Sequence, residues 1–492
     1  MIGRRQFLGS GTTAIALSAC AATPLSAALT SPKAVGDIAL LREILTTLHP
    51  GLYRYSSPKA IEAALRQLDR QWAAQPDLAA RYLNLSRFLS MIKCGHSYAN
   101  FFNQSRKVSS QLFDPPAPTR LPFAFKWIER KMVVTQDQSG TGLLKRGAVI
   151  KKVNGVPVGT ILDNLMPYVR ADGSNDGKRR ALLSIGGSED IQTFDVFYGL
   201  IYGPPGQAGR HRLLVREPEA KNDVRIDVTA ITMAQRQSYI KRPDKGGTEP
   251  IWEWKLRPDN IAVLTMASWA MFDSKWKWEA WLNERLDSLP GAKGLIVDIR
   301  GNEGGNSCGD VILSRLADKP IAMPLSRRLV RYKKVPEHLN QYLNTWDDGF
   351  RDWGDNLRPY DDQFFEQVDI TYNPVVEPKG PRINVPMAVL ISPQNSSATF
   401  QFALKCRLSG LGALIGETTG GNLRGINGGY FFATLPESGI EFDVALVGYY
   451  PDGPMPRDAG LDPDIKVSLT AKDIAQGNDP QMAAAASYLL TQ

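Results

Sequence analysis

Hydrophobic residues in the N-terminal part of the chain recur every three or four positions, the spacing of a helix that buries one face. Pro50-Gly51 ends the first of these stripes, and the Pro-rich stretch 115–118 closes the region. The spacing predicts helices within residues 32–118. The apolar stripes are Leu40, Leu41, Ile44, Leu45 and Leu48; Ile61, Leu65, Leu68 and Trp72; and Leu85, Phe88, Leu89 and Ile92.

The pattern changes over residues 119–232, where short β-branched and aromatic runs replace the helical stripes. Runs at 123–127 and 132–134 predict two strands. A third strand is predicted over 147–153, because it leads into the Asn-Gly pair at 154–155, which is typical of tight hairpin turns. We therefore predict a β-rich middle domain.

Short apolar runs alternate with helical patterns in the last part of the chain. The predicted strands lie at 261–264, 295–299, 387–391 and 414–416, and the predicted helices at 278–289 and 398–408. This alternation indicates a parallel sheet with helices packed on it. The chain is thus predicted to be an α/β protein whose third domain covers residues 233–492.

Composition and charge exclude several classes of protein. The chain has 492 residues, of which 43% are hydrophobic, so it can bury a sizeable core. A net charge of +8 is small for this length and argues against a nucleic-acid partner. The sequence has no G-K-[ST] phosphate loop and no H-E-x-x-H zinc helix.

Cysteine usage gives no sign of a disulfide framework or a metal site. Cys94, Cys308 and Cys406 are odd in number, and the chain has no C-x-x-C pair. We predict that these three are free, buried thiols and that the protein needs no metal or cofactor.

The first residues resemble an export signal. Arg4-Arg5 precedes the apolar run 12–19 in a twin-arginine pattern, and this run is too short to span a bilayer. A Leu-Ser-Ala-Cys segment resembles a bacterial lipobox that would lipidate Cys20; cleavage near Ala27, or an uncleaved cytoplasmic N-terminus, are the alternatives. We predict that residues 1–27 are a leader, that the protein acts in the periplasm, and that only lipid on Cys20 would attach it to the membrane.

Two loops that follow predicted strands carry groups suited to acyl chemistry. One is the Gly-rich stretch 301–306, and the other contains Ser396 and Ser397 before a predicted helix. Catalytic groups gather at the carboxyl ends of parallel strands, where glycines let backbone N–H groups converge on an oxyanion. Ser396 or Ser397 is therefore a candidate nucleophile. Gly304 or Gly305 would supply an oxyanion-hole N–H; the alternative is that the serines only cap the helix.

A serine nucleophile needs a base, and the chain has four histidines. His96 follows the third helical stripe in a Gly-His-Ser turn and is the best candidate; the alternative is a structural imidazole, hydrogen-bonded at a turn. His49 is expected at the C-terminus of the first helix. His211 and His338 lie among polar and basic residues and are expected to be exposed.

Several segments also carry a family resemblance in their order and spacing. They are 49–53 with 95–98, 295–305, 395–400, 415–421 and 460–467. Together they resemble the tail-specific (C-terminal processing) serine peptidases over residues 37–468. The resemblance implies a crotonase-like (ββα superhelix) catalytic domain in residues 233–492 and a PDZ-like domain in residues 119–232.

The resemblance also implies roles for single residues. One branch of the family uses a Ser–Lys dyad, but Asn422 occupies the lysine position here. The chain is therefore similar to the tricorn-core-like branch, in which a histidine activates the serine. The implied roles are Ser397 as nucleophile, His96 as base, Gly304, Gly305 and Ala398 at the oxyanion hole, and Asp458 as the acid that orients the base.

Three positions depart from the family pattern. Asp458 and Phe400 stand where Glu is usual, and Gly95 stands where tricorn-like members have Ser. The implied function is a serine-type peptidase that hydrolyses exported proteins or peptides. Two alternatives stay open: a non-catalytic protein that binds an apolar or peptide ligand in the same cleft, and an esterase or amidase.

Overall fold

The computed structural model describes residues 36–187, 189–206, 209–240, 244, 246–322, 325, 327–368 and 375–492. The predicted leader, with Arg4, Arg5, Cys20 and Ala27, lies outside the described residues.

Helices occur along the whole of the described chain. They are α1 (Asp37–Leu48), α2 (Pro58–Ala74), α3 (Leu78–Met91), α4 (Arg106–Phe113), α5 (Val158–Leu165), α6 (Asp176–Leu182), α7 (Thr193–Tyr202), α8 (Met233–Ser238), α9 (Trp278–Asp287), α10 (Cys308–Leu316), α11 (Ser397–Ser409), α12 (Ala471–Gln476) and α13 (Pro480–Leu489). Among the described residues, no helix combines the length and the apolar character needed to cross a membrane.

The strands group into three main sheets and one two-stranded pair. They are β1 (Phe123–Ile128), β2 (Lys131–Asp137), β3 (Val149–Val153), β4 (Val156–Pro157), β5 (Arg210–Arg216), β6 (Asp223–Thr229), β7 (Glu253–Leu256), β8 (Ile261–Thr265), β9 (Gly294–Asp298), β10 (Ile321–Ala322), β11 (Arg327–Val330), β12 (Leu343–Asn344), β13 (Leu357–Pro359), β14 (Phe365–Gln367), β15 (Val375–Val376), β16 (Met387–Ile391), β17 (Ala413–Gly416), β18 (Ile426–Thr434), β19 (Glu441–Tyr450) and β20 (Ile465–Lys466).

The three predicted N-terminal helices are confirmed as α1, α2 and α3. Ser57 and Asp77 cap α2 and α3, because each side chain accepts an N–H group of the first helical turn. The first helix ends at His49, as predicted. The apolar stripes of these helices pack in one hydrophobic cluster with residues of β1, β2, β18 and β19.

Residues 119–232 contain an antiparallel sheet in the order β1-β2-β3-β5-β6, with β4 paired to β3. The predicted turn is confirmed, because Asn154 and Gly155 have φ values of 51° and 86°. Three helices in this region, α5, α6 and α7, were not predicted. Of these, α6 matters most for the site because it carries Lys178.

The predicted parallel sheet is confirmed and has the order β20-β17-β16-β9-β8-β7. All its described pairings are parallel except that of β7 with β8. Apolar residues of α9, α10 and α11 pack in the cluster on one face, and those of α13 pack on the other. Because β9 and β16 are neighbours, the loops at their carboxyl ends meet.

A second antiparallel sheet, β12-β18-β19-β11-β14-β13, was not predicted. Its strand β19 binds the segment that follows α3. The Ala445 N–H donates to Ser97 Oγ at 3.1 Å, and the Asp443 N–H donates to the Tyr98 carbonyl at 3.0 Å. The turn that bears His96 is fixed against β19 in this way, within a protein of mixed α/β class.

Candidate active site

Ser397 lies where the loop after β16 turns into α11. Its φ of 51° places it in the left-handed region, which costs a residue with a side chain about 1–2 kcal/mol. Its side chain is half-buried, and its hydroxyl makes no hydrogen bond to any residue that the structure describes. Strained residues are enriched at functional sites, and this φ together with the free hydroxyl makes Ser397 the candidate nucleophile.

Ser396 has a different environment from its neighbour. It is the N-cap residue of α11, yet its side chain does not cap the helix. Its Oγ instead accepts a hydrogen bond from Lys178 Nζ at 2.7 Å and donates to the Glu303 carbonyl at 3.2 Å. The interpretation that both serines only cap the helix is therefore wrong, and Ser397 is the serine with the free hydroxyl.

Gly304 brings the loop after β9 into contact with the turn that carries Ser397. A Cβ added to Gly304 would lie 2.8 Å from the Ser396 carbonyl oxygen and 2.9 Å from both the Ala398 nitrogen and Ser397 Cβ. These are distances that real Cβ atoms do not reach, so only glycine allows the two backbones to lie this close.

Two backbone N–H groups near Ser397 have no acceptor among the described residues: those of Gly305 and Ala398. The N–H of Gly304, by contrast, donates to Asn302 Oδ1 at 2.9 Å. The N-terminus of α11 also carries a partial positive charge because its first N–H groups are unpaired. This geometry favours Gly305 and Ala398 as oxyanion donors, with Gly304 as the residue of closest approach.

Asn395 joins the two loops. Its amide Nδ2 donates to the carbonyls of Ile299 and Asn302 at 2.6 and 3.0 Å, and its Oδ1 accepts the Ser392 N–H at 2.6 Å. Because Asn395 is fully buried, these bonds are shielded from water and fix the distance between the loops.

His96 lies on a turn, as predicted, and its ring is partly exposed. Its Nδ1 is buried without a hydrogen-bond partner among the described residues, and its ring stacks on Tyr430 with centroids 6.1 Å apart. Burial lowers the pKa of His96; Arg170 and Lys178 lower it further, whereas Asp172 and Glu303 raise it. The imidazole is therefore neutral at neutral pH.

A buried pair, His49 and Ser97, supports the His96 turn. The Gly51 N–H donates to His49 Nδ1 at 3.1 Å, so the proton of this ring is on Nε2, which lies 3.0 Å from Ser97 Oγ. Burial lowers the pKa of His49 to about 3, which keeps the ring neutral. His49 has a structural role in this arrangement.

Three charged residues connect the two turns: Lys178 is buried, and Arg170 and Glu303 are partly buried. Lys178 Nζ lies 2.8 Å from Glu303 Oε2 and 3.1 Å from the Gln394 carbonyl, in addition to its bond with Ser396. Arg170 pairs with the same Glu303 oxygen at 3.0 Å and donates to the Gly95 carbonyl at 2.9 Å. Burial raises the pKa of Glu303, but the two cations outweigh it and hold the pKa well below its ordinary value.

Asp458, the predicted orienting acid, is bonded to other groups. Its carboxylate accepts the N–H and the hydroxyl of Ser174 at 2.9 and 2.8 Å and the Asn422 Nδ2 at 2.7 Å. No hydrogen bond joins it to His96 among the described residues. Its role as third member stays a prediction.

Two residues that contact the His96 and Ser396 turns were missed. They are Asp172, which accepts the Gly95 N–H at 2.8 Å, and Lys178. The signal available was the polar cluster 172–176, which is typical of a turn that caps a helix, and Asn175 does accept the Lys178 N–H. Nothing in the pattern indicated which part of the chain this turn contacts.

The structure contradicts the predicted exposure of His211 and confirms that of His338. His211 is buried on β5, with Nδ1 3.2 Å from Asn154 Nδ2, so its predicted exposure is wrong. It lies on the inner face of a strand, where the alternating pattern outweighs its polar neighbours in the sequence. His338 is exposed as predicted, and its Nε2 lies 2.6 Å from Glu43.

The cysteines have the state that the sequence predicts. Cys94, Cys308 and Cys406 are free and buried, as predicted. No group of three or more His, Cys, Asp or Glu side chains in the described part of the chain could hold a metal ion.

Ser307 has the G-x-S-x-G spacing of a nucleophile elbow, but it is exposed at the start of α10 and separated from β9 by the loop 299–306.

Residues 260–467 match the model of peptidase family S41. This segment of the chain is similar to peptidase family S41. The enzyme is accordingly of the serine-peptidase class, a hydrolase. This match confirms the predicted resemblance at the level of the family, while the branch with a histidine base stays a prediction.

Several solved structures are similar to this chain over most of its length. Mature CPAF complexed with lactacystin matches with a TM-score of 0.58 and 16% identity, over 92% of this chain and 96% of the other. Mature CPAF matches with a TM-score of 0.56 and 16% identity, over 92% and 94%. The photosystem II D1 C-terminal processing protease matches with a TM-score of 0.38 and 14% identity, over 89% and 95%. The CPAF matches show that this chain shares a fold with CPAF over most of its length. No curated protein matches the sequence.

Proposed function

We propose that the S41 domain is an active peptidase in which Ser397 attacks a peptide carbonyl and His96 is the base. The observation that carries this proposal is the strained backbone of Ser397, which leaves its unpaired oxygen at the uncapped N-terminus of α11. The free N–H groups of Gly305 and Ala398 would hold the oxyanion. The substrate class is a peptide or protein.

In the proposed reaction, the proton of Ser397 Oγ passes to His96 Nε2 while Oγ bonds to the carbonyl carbon. The oxyanion accepts hydrogen bonds from Gly305 and Ala398. The C–N bond then breaks, and His96 gives the proton to the leaving amine. Water repeats these steps on the acyl-enzyme, which releases the carboxylic acid and restores the serine.

The electrostatics of the site support this role for His96. A general base must be unprotonated at the working pH, and burial together with Arg170 and Lys178 holds the pKa of His96 below its ordinary value. Because Nδ1 is the buried nitrogen, we assign to Nε2 the transfer of the Ser397 proton.

We also propose the finer organisation that the resemblance implies. Residues 233–492 would be crotonase-like, in keeping with the parallel sheet covered on both faces, and residues 119–232 would be PDZ-like, in keeping with the antiparallel sheet and its helices. Export by the twin-arginine route and lipidation of Cys20 are parts of the same proposal. Cys20→Ala should move the protein from the membrane fraction to the soluble fraction, and unchanged membrane association would count against the lipid.

The test of the function is a peptide-library digest read by mass spectrometry. Wild type is compared with Ser397→Ala, with the rival Ser307→Ala, and with Ser409→Ala at the far end of α11. We expect cleavage by wild type and by both control variants and none by Ser397→Ala, with similar thermal melts throughout. Full cleavage by Ser397→Ala would refute the nucleophile assignment.

The same digest separates the alternatives. Hydrolysis of ester substrates without any peptide cleavage would indicate an esterase or amidase. No hydrolysis of either class by wild type, together with saturable binding of an apolar or peptide ligand, would indicate a binding protein that uses the same cleft.

A further inference from the structure

The buried polar atoms near the His96 turn that have no hydrogen-bond partner among the described residues include Nδ1 of His96 and Oδ2 of Asp172. The Asp172 residue is 2% exposed. A buried polar atom left unpaired costs about 1–3 kcal/mol, so an unpaired imidazole nitrogen and an unpaired carboxylate oxygen at the same turn need an explanation.

Asp172 reaches this turn through Gly95, the residue before His96. Its Oδ1 accepts the Gly95 N–H at 2.8 Å, and a Cβ added to Gly95 would lie 2.7 Å from Oδ2. The carboxylate therefore occupies the space that a side chain at position 95 would need. Burial lowers the pKa of His96 most, and Asp172 is the first among the groups that raise it.

The turn that carries Asp172 is held by Asp458. This carboxylate accepts both the N–H and the hydroxyl of Ser174. Asn422 Nδ2 adds a bond to Asp458 at 2.7 Å and a longer one to the Asp172 carbonyl at 3.4 Å. Asp458 thus contacts the turn that carries Asp172 and makes no hydrogen bond to His96 among the described residues.

We propose that Asp172, not Asp458, is the acid that positions His96: its Oδ2, which the structure leaves unbonded, would accept the hydrogen bond of Nδ1–H in the substrate complex, and Nε2 would stay unprotonated toward Ser397. This inference rests on the proposed function. During the reaction the proton moves from Ser397 Oγ to Nε2 and then to the leaving amine, and Nδ1 keeps its own proton throughout. Asp458 supports the arrangement by holding the 172–174 turn.

Other ionisable groups face these two side chains and must be kept constant in a test. They are Arg170, Lys178, Glu303 and Tyr430 around His96, and Tyr55, Cys94, Arg170 and Lys178 around Asp172. Burial raises the pKa of Tyr55 and of Cys94, so neither ionises near neutral pH. The contribution of the Asp172 charge is therefore measured between variants that retain all of these groups.

The test compares pH profiles of kcat/KM for Asp172→Asn and Asp458→Asn in the full chain. Asparagine at 172 keeps an oxygen for the Gly95 N–H but removes the charge. We expect Asp172→Asn to lower kcat/KM about 10²–10⁴-fold, mainly through kcat, and to move the acid limb of the profile to lower pH. Asp458→Asn should have a smaller effect and leave the limb in place. Asp176→Asn, at an exposed acid of the same segment, controls for the loss of one negative charge.

Two outcomes would count against the inference. If Asp458→Asn moves the acid limb and Asp172→Asn does not, Asp458 is the positioning acid. If neither variant changes the profile although Ser397→Ala and His96→Ala abolish hydrolysis, the peptidase site stands and Asp172 has only a structural role. Failure of the proposed function itself would appear separately, as full hydrolysis by Ser397→Ala.

A second measurement needs no change at Asp172 and covers the case in which that variant does not fold. The tautomer of His96 is determined by NMR in full chain labelled with ¹⁵N-histidine, with His96→Gln used to assign its signals among the four histidines. We expect the proton on Nδ1 and an unprotonated Nε2. A neutral ring protonated on Nε2 would overturn the proposal.

Discussion

Ser397 and His96 lie on turns that are held in different ways. The Ser397 turn connects a strand to a helix, and its neighbouring loop follows the adjacent strand of the same parallel sheet. The His96 turn ends no strand and begins no helix. It is held by side chains and backbone groups of α1's C-terminus, β19 and the 170–172 segment.

The difference shows how a substitution near each of the two proposed catalytic groups should act. The Ser397 turn gets its shape from strand pairing and from the bonds of its neighbours Asn395 and Ser396, whereas the Ser397 hydroxyl makes no hydrogen bond among the described residues. A change of the Ser397 side chain should therefore alter chemistry more than stability. The His96 turn depends on buried polar contacts between distant parts of the chain. A substitution in the His96 turn should therefore lower the stability of the protein. It should move the His96 ring only if the contacts that remain are too few to hold the turn in place.

The largest effect is expected at the nucleophile turn. Ser397→Gly should lower kcat/KM by at least about 10³-fold because it removes the attacking oxygen. The same change should raise the free energy of unfolding by about 0.5–1 kcal/mol, since glycine adopts φ 51° without strain. Peptide hydrolysis and urea unfolding measure the two effects.

Ser396→Gly is the matched control for this prediction. Ser396 has φ −142°, so glycine relieves no strain there, and the buried Lys178 loses an acceptor. We expect Ser396→Gly to be less stable than wild type by about 1–3 kcal/mol. Stabilisation by both substitutions, or by neither, would contradict the strain assigned to Ser397.

The next effect concerns Lys178, which connects the two turns. Lys178→Met leaves Glu303 with Arg170 as its cation and removes a donor from Ser396 and Gln394. We expect a loss of about 3–5 kcal/mol in unfolding free energy. Misplacement of the nucleophile loop should also lower kcat/KM by about 10²-fold.

Lys405→Met separates these two losses. Lys405 is also a buried lysine, bonded to both oxygens of Asp310 at 2.7 and 2.8 Å, but it contacts neither turn. The Lys405→Met variant should lose about as much stability as Lys178→Met. Its kcat/KM should stay at the wild-type value at a temperature where both variants are folded. Equal loss of kcat/KM in the two variants would mean that Lys178 acts through stability alone.

A smaller effect is expected at Ser97, within the His96 turn. Ser97→Ala removes the acceptor of the Ala445 N–H and the partner of His49 Nε2, both of which are buried. The cost should be about 1–3 kcal/mol of unfolding free energy, measured by urea denaturation. Because Arg170 and Asp172 still hold Gly95, kcat/KM should fall less than tenfold; a larger fall would show that the Ser97 contact aligns the base.

The same contrast explains what could be predicted from sequence. Strands β8, β9 and β16 are short apolar runs and α11 has a clear start, so local pattern was enough to place Ser397, Gly304 and Gly305 at adjacent strand ends. The hairpin β18–β19 was missed because its glycines and polar residues weaken the alternating pattern. Asp172 and Lys178 were missed because their role depends on contacts with Gly95 and Ser396, far away in the chain.

The smallest effect at neutral pH concerns His49. Its pKa is about 3 in the folded protein, where burial lowers it, and 6.5 without burial. Below pH 6.5, His49 binds a proton in the unfolded chain but not in the folded chain. The free energy of unfolding therefore decreases as the pH falls from 6.5 toward 3. For this residue the loss should be about 1 kcal/mol between pH 6.5 and 5.5.

His49→Gln isolates that contribution, because glutamine can still donate to Ser97 but does not titrate. The variant should lose less stability than wild type on going from pH 6.5 to 5.5, by about 1 kcal/mol, in urea unfolding at the two pH values. Contributions from His96 and His211, whose pKa values are also lowered by burial, are the same in both proteins and cancel in the difference. If the two proteins lost equal stability, His49 would not be the neutral, buried support of the His96 turn, and the strong dependence of that turn on buried contacts would rest on Arg170 and Asp172 instead.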